Sequence, residues 1–294
     1  MIVLTSINER DRGRVTGFLD AIGSADGQPP LSEYKMLRLD GSRGTVEQLL
    51  VTGDGSIVGY GQAAWHRPAG GSGGHWAVEV VVAPDHRSGP AAATLIGALE
   101  KRLDGSPITL WAHTPYVATA AGEAGWLPNR LLTRMSRRLP VRCRHEVPDG
   151  LSISTFRPGI DEWAWLSANN LAFAEHPENG ALELSDIVER ERQAWFDPEG
   201  FFLAWDGDRV VGSCWTKVHE GNVGEIYIIG IIPEWEGMGL GRALVCGGLD
   251  YLSAVRQAVK AMLYVELDNE RAADLYLELG FEVEKRITAY SRDN

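Results

Sequence analysis

Gly224-Glu225-Ile226-Tyr227-Ile228-Ile229-Gly230-Ile231-Ile232-Pro233-Glu234-Trp235-Glu236-Gly237-Met238-Gly239-Leu240-Gly241-Arg242 decides how this chain is read. Its first half is an apolar, β-branched run, the pattern of a strand buried on both faces. Proline then stops the ladder, and a glycine cluster opens an amphipathic helix over residues 241–254. A strand, a glycine turn and a helix N-terminus together favour an anion. Glycine lets backbone approach a ligand closely, the first helical N–H groups have no intrahelical acceptor, and the helix dipole attracts negative charge. No Gly-Lys-Ser/Thr follows, so this is not a phosphate loop of the Walker type. Gly237-Met238-Gly239-Leu240-Gly241 is also one residue short of a dinucleotide fingerprint.

The stretch resembles the acetyl-CoA loop of the GCN5-related N-acetyltransferases (GNAT), Arg/Gln-x-x-Gly-x-Gly/Ala after a strand. Gly239 and Gly241 fit; Glu236 departs from the first position. Residues 269–281, Asn-Glu-Arg-Ala-Ala-Asp-Leu-Tyr-Leu-Glu-Leu-Gly-Phe, resemble the family's later motif, Asn-x-x-Ala-x-x-x-Tyr-x-x-Leu-Gly-Phe. The resemblance implies that two central strands splay apart around acetyl-CoA as co-substrate. Ile229, Gly230 and Ile231 would pair with its pantetheine arm. Glu236, Gly237, Met238, Gly239, Leu240, Gly241 and Arg242 would surround its pyrophosphate. Asn269, Glu270, Arg271, Ala272, Ala273 and Asp274 would flank the thiol end.

At 294 residues the chain has room for two domains, and its 44% hydrophobic and 23% charged residues are those of a globular protein. A net charge of −12 argues against nucleic acid and anionic membrane as partners. No apolar run is long enough to span a bilayer, and the first residues lack a signal peptide's basic start and cleavage site, so a cytoplasmic monomer is expected. Cys143, Cys214 and Cys246 show no metal-ligand spacing; the reading is three reduced thiols and no metal.

Along the chain the pattern runs helix, helix, hairpin, buried strand, glycine loop, helix, strand, helix, and then repeats after about 150 residues. Glu79 matches Glu225, Gly89 and Ala91 match Gly239 and Gly241, and Gly125-Trp126 matches Gly280-Phe281. The glycine-rich residues 69–74 read as a loop. The fold class is therefore α/β with a mixed α+β sheet, arranged as two tandem GNAT-like domains. Residues 1–140 form the first, 141–150 a linker and 151–294 the second, catalytic one. By the same resemblance Val80, Val81 and Val82 are the cofactor-pairing positions of the first domain. There Pro90 has no N–H to donate, His86 replaces Arg/Gln, and Gly122-Glu123 stands where the tyrosine is expected. The first domain is read as non-catalytic.

Acetyl transfer to an amine requires a proton acceptor, stabilisation of charge on the carbonyl oxygen, and a proton for the departing sulfur. Glu225 is the candidate base, the resemblance implies Tyr276 as the acid, and a backbone N–H near Ile231 could serve the oxygen. A strand carboxylate facing solvent or an arginine, and an aromatic packed beside Leu275 and Leu279, are the respective alternatives. Stretches such as Phe173-Ala174-Glu175-His176-Pro177-Glu178-Asn179-Gly180 and Trp215-Thr216-Lys217-Val218-His219 resemble tandem members of the family that acetylate the cysteinyl amine of Cys-GlcN-Ins. That resemblance implies substrate contacts from Glu33, Glu178, Lys217, Glu225 and Tyr264, each of which also has a purely structural reading. His176 is read as shaping its loop. Two other functions stay open: a tandem acetyltransferase for another small amine, such as an aminoglycoside or polyamine, and a non-catalytic acyl-CoA-binding module.

Overall fold

The computed structural model describes residues 1–292 except 6, 40–43, 68–72, 104, 144–145 and 179. Most of the expected loop at 69–74 lies outside the described residues. In chain order the elements are β1 (Ile2–Leu4), α1 (Glu9–Asp26), α2 (Glu33–Met36), β2 (Thr45–Val51), β3 (Ile57–His66), β4 (His75–Val82), α3 (Ala91–Arg102), β5 (Ile108–Ala112), α4 (Pro115–Glu123) and β6 (Leu127–Arg138). There follow β7 (Ser152–Thr155), α5 (Glu162–Ala172), α6 (Leu184–Glu191), β8 (Phe201–Asp206), β9 (Arg209–His219), β10 (Val223–Ile231), α7 (Leu240–Ala254), β11 (Lys260–Glu266), α8 (Glu270–Glu278) and β12 (Glu282–Ser291).

These form two compact units: Met1–His66, Gly73–Leu131 and Ile287–Asn294 in the first, Arg67–Ser72 and Leu132–Arg286 in the second. The expected boundary at residues 141–150 differs from this division. Residues 132–138 of β6 pair antiparallel with β11, and residues 288–290 of β12 pair antiparallel with β5. Each repeat's last strand is thus counted in the unit of the other repeat. Sequence reading left most of β6 unassigned, because Arg130, Arg134, Arg137 and Arg138 obscure its period-2 pattern.

In unit 1 the antiparallel strands β1, β2, β3 and β4 are followed by β5, parallel to β4. Val15, Leu19 and Ile22, at helical spacing on α1, pack with Leu49, Tyr60 and Val81. Leu95, Ile96 and Leu99 of α3 pack with Leu50, Val80, Val82 and Leu110. Alternation along β2 and β4 therefore feeds two helical layers, which is why β4 is apolar apart from His75 and Glu79.

Unit 2 repeats the plan. Its strands β7, β8, β9 and β10 are antiparallel, and β11 runs parallel to β10. Helix α7 lies close on the sheet at Gly248, where a Cβ would meet Cys214 Sγ and Ile226 Cδ1 at 3.0 Å. An aromatic cluster of Trp165, Trp195, Phe201, Trp215 and Tyr227 fills one face of β8, β9 and β10. The expectation of three reduced thiols is corrected: Cys143 and Cys246 form a disulfide with Cα atoms 5.8 Å apart, and Cys214 alone is free. Their separation of 103 positions in sequence hid the pair from any spacing argument.

Candidate active site

In unit 2, β10 and β11 are paired only over Val223–Lys260, Gly224–Ala261 and Glu225–Met262. Beyond Glu225 the strands part. Tyr227 is the cause on the β10 side: it is a bulge, since Ile226 pairs with Thr216 and Ile228 with Trp215. Past the bulge, Ile232 N–H donates to Val211 O at 3.0 Å, so Ile231–Gly212 is a non-hydrogen-bonded pair. Ile229 and Ile231 consequently turn their N–H and C=O groups away from β9, toward the side where β11 has diverged. That edge is a template for an extended ligand with amide groups, and its Ile231 N–H suits a carbonyl oxygen.

The turn after β10 leaves backbone donors open in a geometry that suits an anion. Gly237 and Gly239 have φ of 76° and 88°, values that favour glycine. Gly239 is the N-cap of α7 and provides no side-chain cap. The first bond of the helix runs from Ala243 N–H to Gly239 O, so the N–H groups of Met238, Gly239, Leu240, Gly241 and Arg242 have no acceptor among the described residues. Glu236 is neutralised by Arg271, whose Nη1 lies 2.5 Å from its Oε2. Asn269 caps α8 by accepting from Ala272 N–H at 3.2 Å, which places Glu270, Arg271, Ala272, Ala273 and Asp274 in its first turns. Close by, Arg137, Arg142, Arg242, Cys143 and Glu278 line a cavity of about 310 Å³. Arg242 pairs with Glu278, whereas Arg137 and Arg142 have no ion pair among the described residues.

Cross-strand register assembles the polar face. His219, Val223, Lys260 and Arg138 form one row across the sheet, and Lys217, Glu225, Met262 and Ser136 the next. Tyr264 follows two residues after Met262. Glu225 is 6% exposed, and its Oε2 lies 2.6 Å from His219 Nε2. Its Oε1 makes no hydrogen bond among the described residues. Lys217 Nζ sits over the rings of Trp195 and Tyr227, 4.2 and 5.3 Å from their centroids. Tyr264 keeps 40% exposure; the desolvation it does suffer, and then the Glu225 charge, push its phenol above the ordinary value of 10.

Glu178 lies in the loop after α5, and the loop is anchored on both diverging strands. Phe173 packs against Gly230 on β10, and His176 Nε2 lies 3.4 Å from Glu266 Oε1 at the end of β11. His176 Nδ1 accepts the Glu178 N–H at 3.1 Å. The shaping role expected of His176 is what the structure shows. Of the five proposed substrate contacts, Lys217, Glu225 and Tyr264 share this face and Glu178 sits on the loop; Glu33 opens α2 in unit 1.

Tyr276 faces the opposite layer. It is 4% exposed, packs edge-on to Phe281, and its hydroxyl has no hydrogen-bond partner among the described residues. Burial first, and then Cys214, push its phenol well above the ordinary value of 10, so it holds its proton at neutral pH.

Unit 1 has the same divergence, with β4 and β5 parting after Glu79–Trp111, but no bulge interrupts β3–β4. Its edge is already occupied. Val82 N–H donates to Tyr116 Oη at 3.1 Å, and Val82 O accepts from Arg87 Nε at 3.0 Å. Val80, Val81 and Val82 are all buried. Both oxygens of Glu79 are also taken. Ser32 N–H and Oγ donate to them, Lys35 Nζ is 3.6 Å away and His113 Nε2 is 3.2 Å away. Burial alone would raise this carboxyl, but His113, Lys35 and Ser32 outweigh it and bring it down to about 2. Pro90 stands at the N-cap of α3.

No helix among the described residues is long and apolar enough to cross a membrane, and none of their acidic, histidine or cysteine side chains cluster as metal ligands.

Comparison with known proteins agrees with this geometry. The sequence model described as the acetyltransferase (GNAT) family matches residues 165–281. The chain is 44% identical over 283 residues to a mycothiol acetyltransferase of Geodermatophilus obscurus, covering 91% of this chain and 89% of that one. It is 42% identical to a mycothiol acetyltransferase of Thermomonospora curvata, with the same coverage of 91% and 89%. Two solved structures share the fold. A GCN5-related N-acetyltransferase from Sphaerobacter thermophilus aligns over 99% of this chain and 95% of its own, with a TM-score of 0.69 at 22% identity. A tandem GNAT protein from the clavulanic acid biosynthesis pathway aligns over 99% and 97%, with a TM-score of 0.69 at 18% identity. A parted strand pair, an uncapped glycine turn and relatives of this identity along nine-tenths of the chain place it in the GNAT superfamily, as a member of the mycothiol acetyltransferase family.

Proposed function

We propose that the chain transfers the acetyl group of acetyl-CoA to the cysteinyl amine of Cys-GlcN-Ins (desacetylmycothiol), yielding mycothiol, with the chemistry in unit 2. The observation that carries this reading is the edge of β10. A bulge frees the N–H and C=O groups of Ile229 and Ile231 within one strand of a carboxylate that keeps one oxygen unpaired. The residues fit acetyl-CoA. Ile229, Gly230 and Ile231 would hold the amide-bearing arm, and the N–H groups from Met238 to Arg242 would hold the pyrophosphate. The first turns of α8 would flank the thiol end. Arg137, Arg142 and Arg242 in the adjoining cavity add positive charge suited to a further phosphate.

Acetyl-CoA supplies an activated acetyl thioester. Glu225 Oε1 accepts a proton from the acceptor ammonium, so that its nitrogen can attack. Ile231 N–H stabilises negative charge on the carbonyl oxygen. Tyr276 gives its proton to the sulfur as the carbon–sulfur bond breaks. The ammonium loses two protons overall: one leaves through Glu225, and the other, lost by the nitrogen after attack, replaces the proton that Tyr276 gave to the sulfur. Carboxylates and mixed donors along the acceptor face of unit 2 (Glu178, Lys217, Tyr264) suit a cationic, polyhydroxylated substrate. The names of the relatives favour Cys-GlcN-Ins over other amines.

The test is mass-spectrometric product analysis with acetyl-CoA, Cys-GlcN-Ins and a panel of aminoglycosides and polyamines. Selective N-acetylation of Cys-GlcN-Ins is expected. Acetylation only elsewhere in the panel would move the acceptor, and CoA binding without any product would favour a binding module.

A further inference from the structure

Glu225 differs from its counterpart Glu79 in how its oxygens are used. Glu79 spends both on Ser32, Lys35 and His113, and so has no oxygen left for a substrate. Glu225 has one partner, His219, on one oxygen only. The contact is diagonal across the β9–β10 ladder, since His219 pairs with Val223 and Lys217 with Glu225. An ionised carboxylate can only accept, so the proton in this 2.6 Å contact is carried by Nε2. The imidazole is 27% exposed, against 8% for the Glu225 side chain. His219 thus stands between a buried carboxylate and water, at the last residue of β9.

Resting on the reading of Glu225 as base, we propose that His219 is its positioning residue. Nε2–H fixes Oε2, sets the plane of the carboxylate, and leaves Oε1 as the oxygen that takes the acceptor's proton. A carboxylate buried without a donor is driven toward its neutral form, which cannot accept a proton; one hydrogen bond from the imidazole opposes that without consuming the second oxygen. Other charged groups share the face. Lys217 is opposite Glu225, Lys260 and Arg138 lie in the His219 row, and Tyr264, Arg134 and Glu284 lie along β11, β6 and β12. Glu220 follows His219 on the turn, and Arg190 reaches the face from α6 to donate to Tyr227. None of these except His219 has a hydrogen bond to Glu225 among the described residues, so removal of the imidazole removes its one donor.

The experiment is the pH profile of kcat/KM for Cys-GlcN-Ins, or for whichever amine the panel identifies, in wild type, His219→Ala, His219→Leu and His219→Gln. Leu fills the site without donating; the Gln amide donates from nearly the same point. Ala and Leu are expected to move the acidic limb up by about one pH unit, a loss of about tenfold below the wild-type limb that vanishes above the shifted one. Gln is expected to restore the wild-type limb. An unmoved limb in both Ala and Leu, or a loss equal at every pH, overturns the proposal. Glu225→Gln is run beside them. If it keeps full turnover, the assignment of the base has failed; if it is inactive while His219→Leu is unchanged, only the role of His219 has failed.

Discussion

Glu236 Oε2 and Arg271 Nη1 lie 2.5 Å apart, joining the glycine turn before α7 to the first turn of α8. The family's loop begins with Arg or Gln, and here a carboxylate stands in that place beside N–H groups suited to a pyrophosphate. Arg271 resolves the conflict by supplying from α8 the positive charge that the loop itself lacks. Both side chains are substantially exposed, so the pair adds little to folding; on the proposed function it keeps an uncompensated anion away from the proposed phosphate site.

Arg271→Ala should therefore raise KM for acetyl-CoA about fivefold, a change of about 1 kcal/mol, with kcat little altered. Glu236→Gln in the same chain should recover most of the loss. Steady-state kinetics at low and high salt check this, and equal KM values in wild type and Arg271→Ala would refute it.

Glu225→Gln and Tyr276→Phe address the chemistry. Each should lower kcat by about 10²–10⁴ while leaving acetyl-CoA affinity within about threefold, because neither change touches the β10 edge or the glycine turn. Single-turnover kinetics with calorimetric binding measures both. Unchanged turnover in both variants would overturn the mechanism and leave the fold intact.

Tyr116 and Arg87 occupy both backbone groups of Val82, the counterpart of Ile231. Wild-type protein should bind one acetyl-CoA per chain in a calorimetric titration, through unit 2. Two equivalent sites would show that Val80, Val81 and Val82 receive the cofactor and that Tyr116 moves aside to admit it.

Glu191, at the end of α6, lies beside Glu162, and burial together with that neighbouring carboxylate raises its pKa from 4.5 to about 7. The folded state thus binds the Glu191 proton more tightly than the unfolded state does. The stabilisation is complete below pH 4.5 and is lost as pH rises through 7. After allowance for solvent screening it amounts to about 1 kcal/mol. Glu191→Gln should flatten the fall in Tm between pH 5 and 8 and stabilise the protein at pH 8. A slope identical to wild type would show that other groups set it.

The local elements were legible because each had a local cause. Asn8 and Asn269 cap their helices through side chains that accept from Asp11 and Ala272 N–H. Asp206-Gly207-Asp208 turns the β8–β9 hairpin, and the doubly buried runs of β4 and β10 carry helices on both faces. The repeat was legible for the same reason: two copies of one order of elements leave the same hydrophobic periodicities twice. The proposed roles of Glu225, Tyr276 and the glycine turn rest on motifs that are short in sequence.

Contacts between distant residues were not legible, because a hydrogen bond or disulfide across strands leaves no mark on the spacing of either partner. His219 becomes the partner of Glu225 only through the register of β9 on β10. Arg271 neutralises Glu236 across 35 residues, Tyr116 reaches Val82 across 34, and Cys143 joins Cys246 across 103. The pairing of β6 with β11 and of β12 with β5 likewise depends on which strand edge is open after the rest has folded. Sequence by itself determined the repeated α/β plan and the family, and it named the candidate residues of the site. Tertiary structure decided which of two similar carboxylates keeps an oxygen free of hydrogen bonds among the described residues, because distant neighbours (Ser32, Lys35 and His113) take both oxygens of Glu79 and His219 takes only one of Glu225.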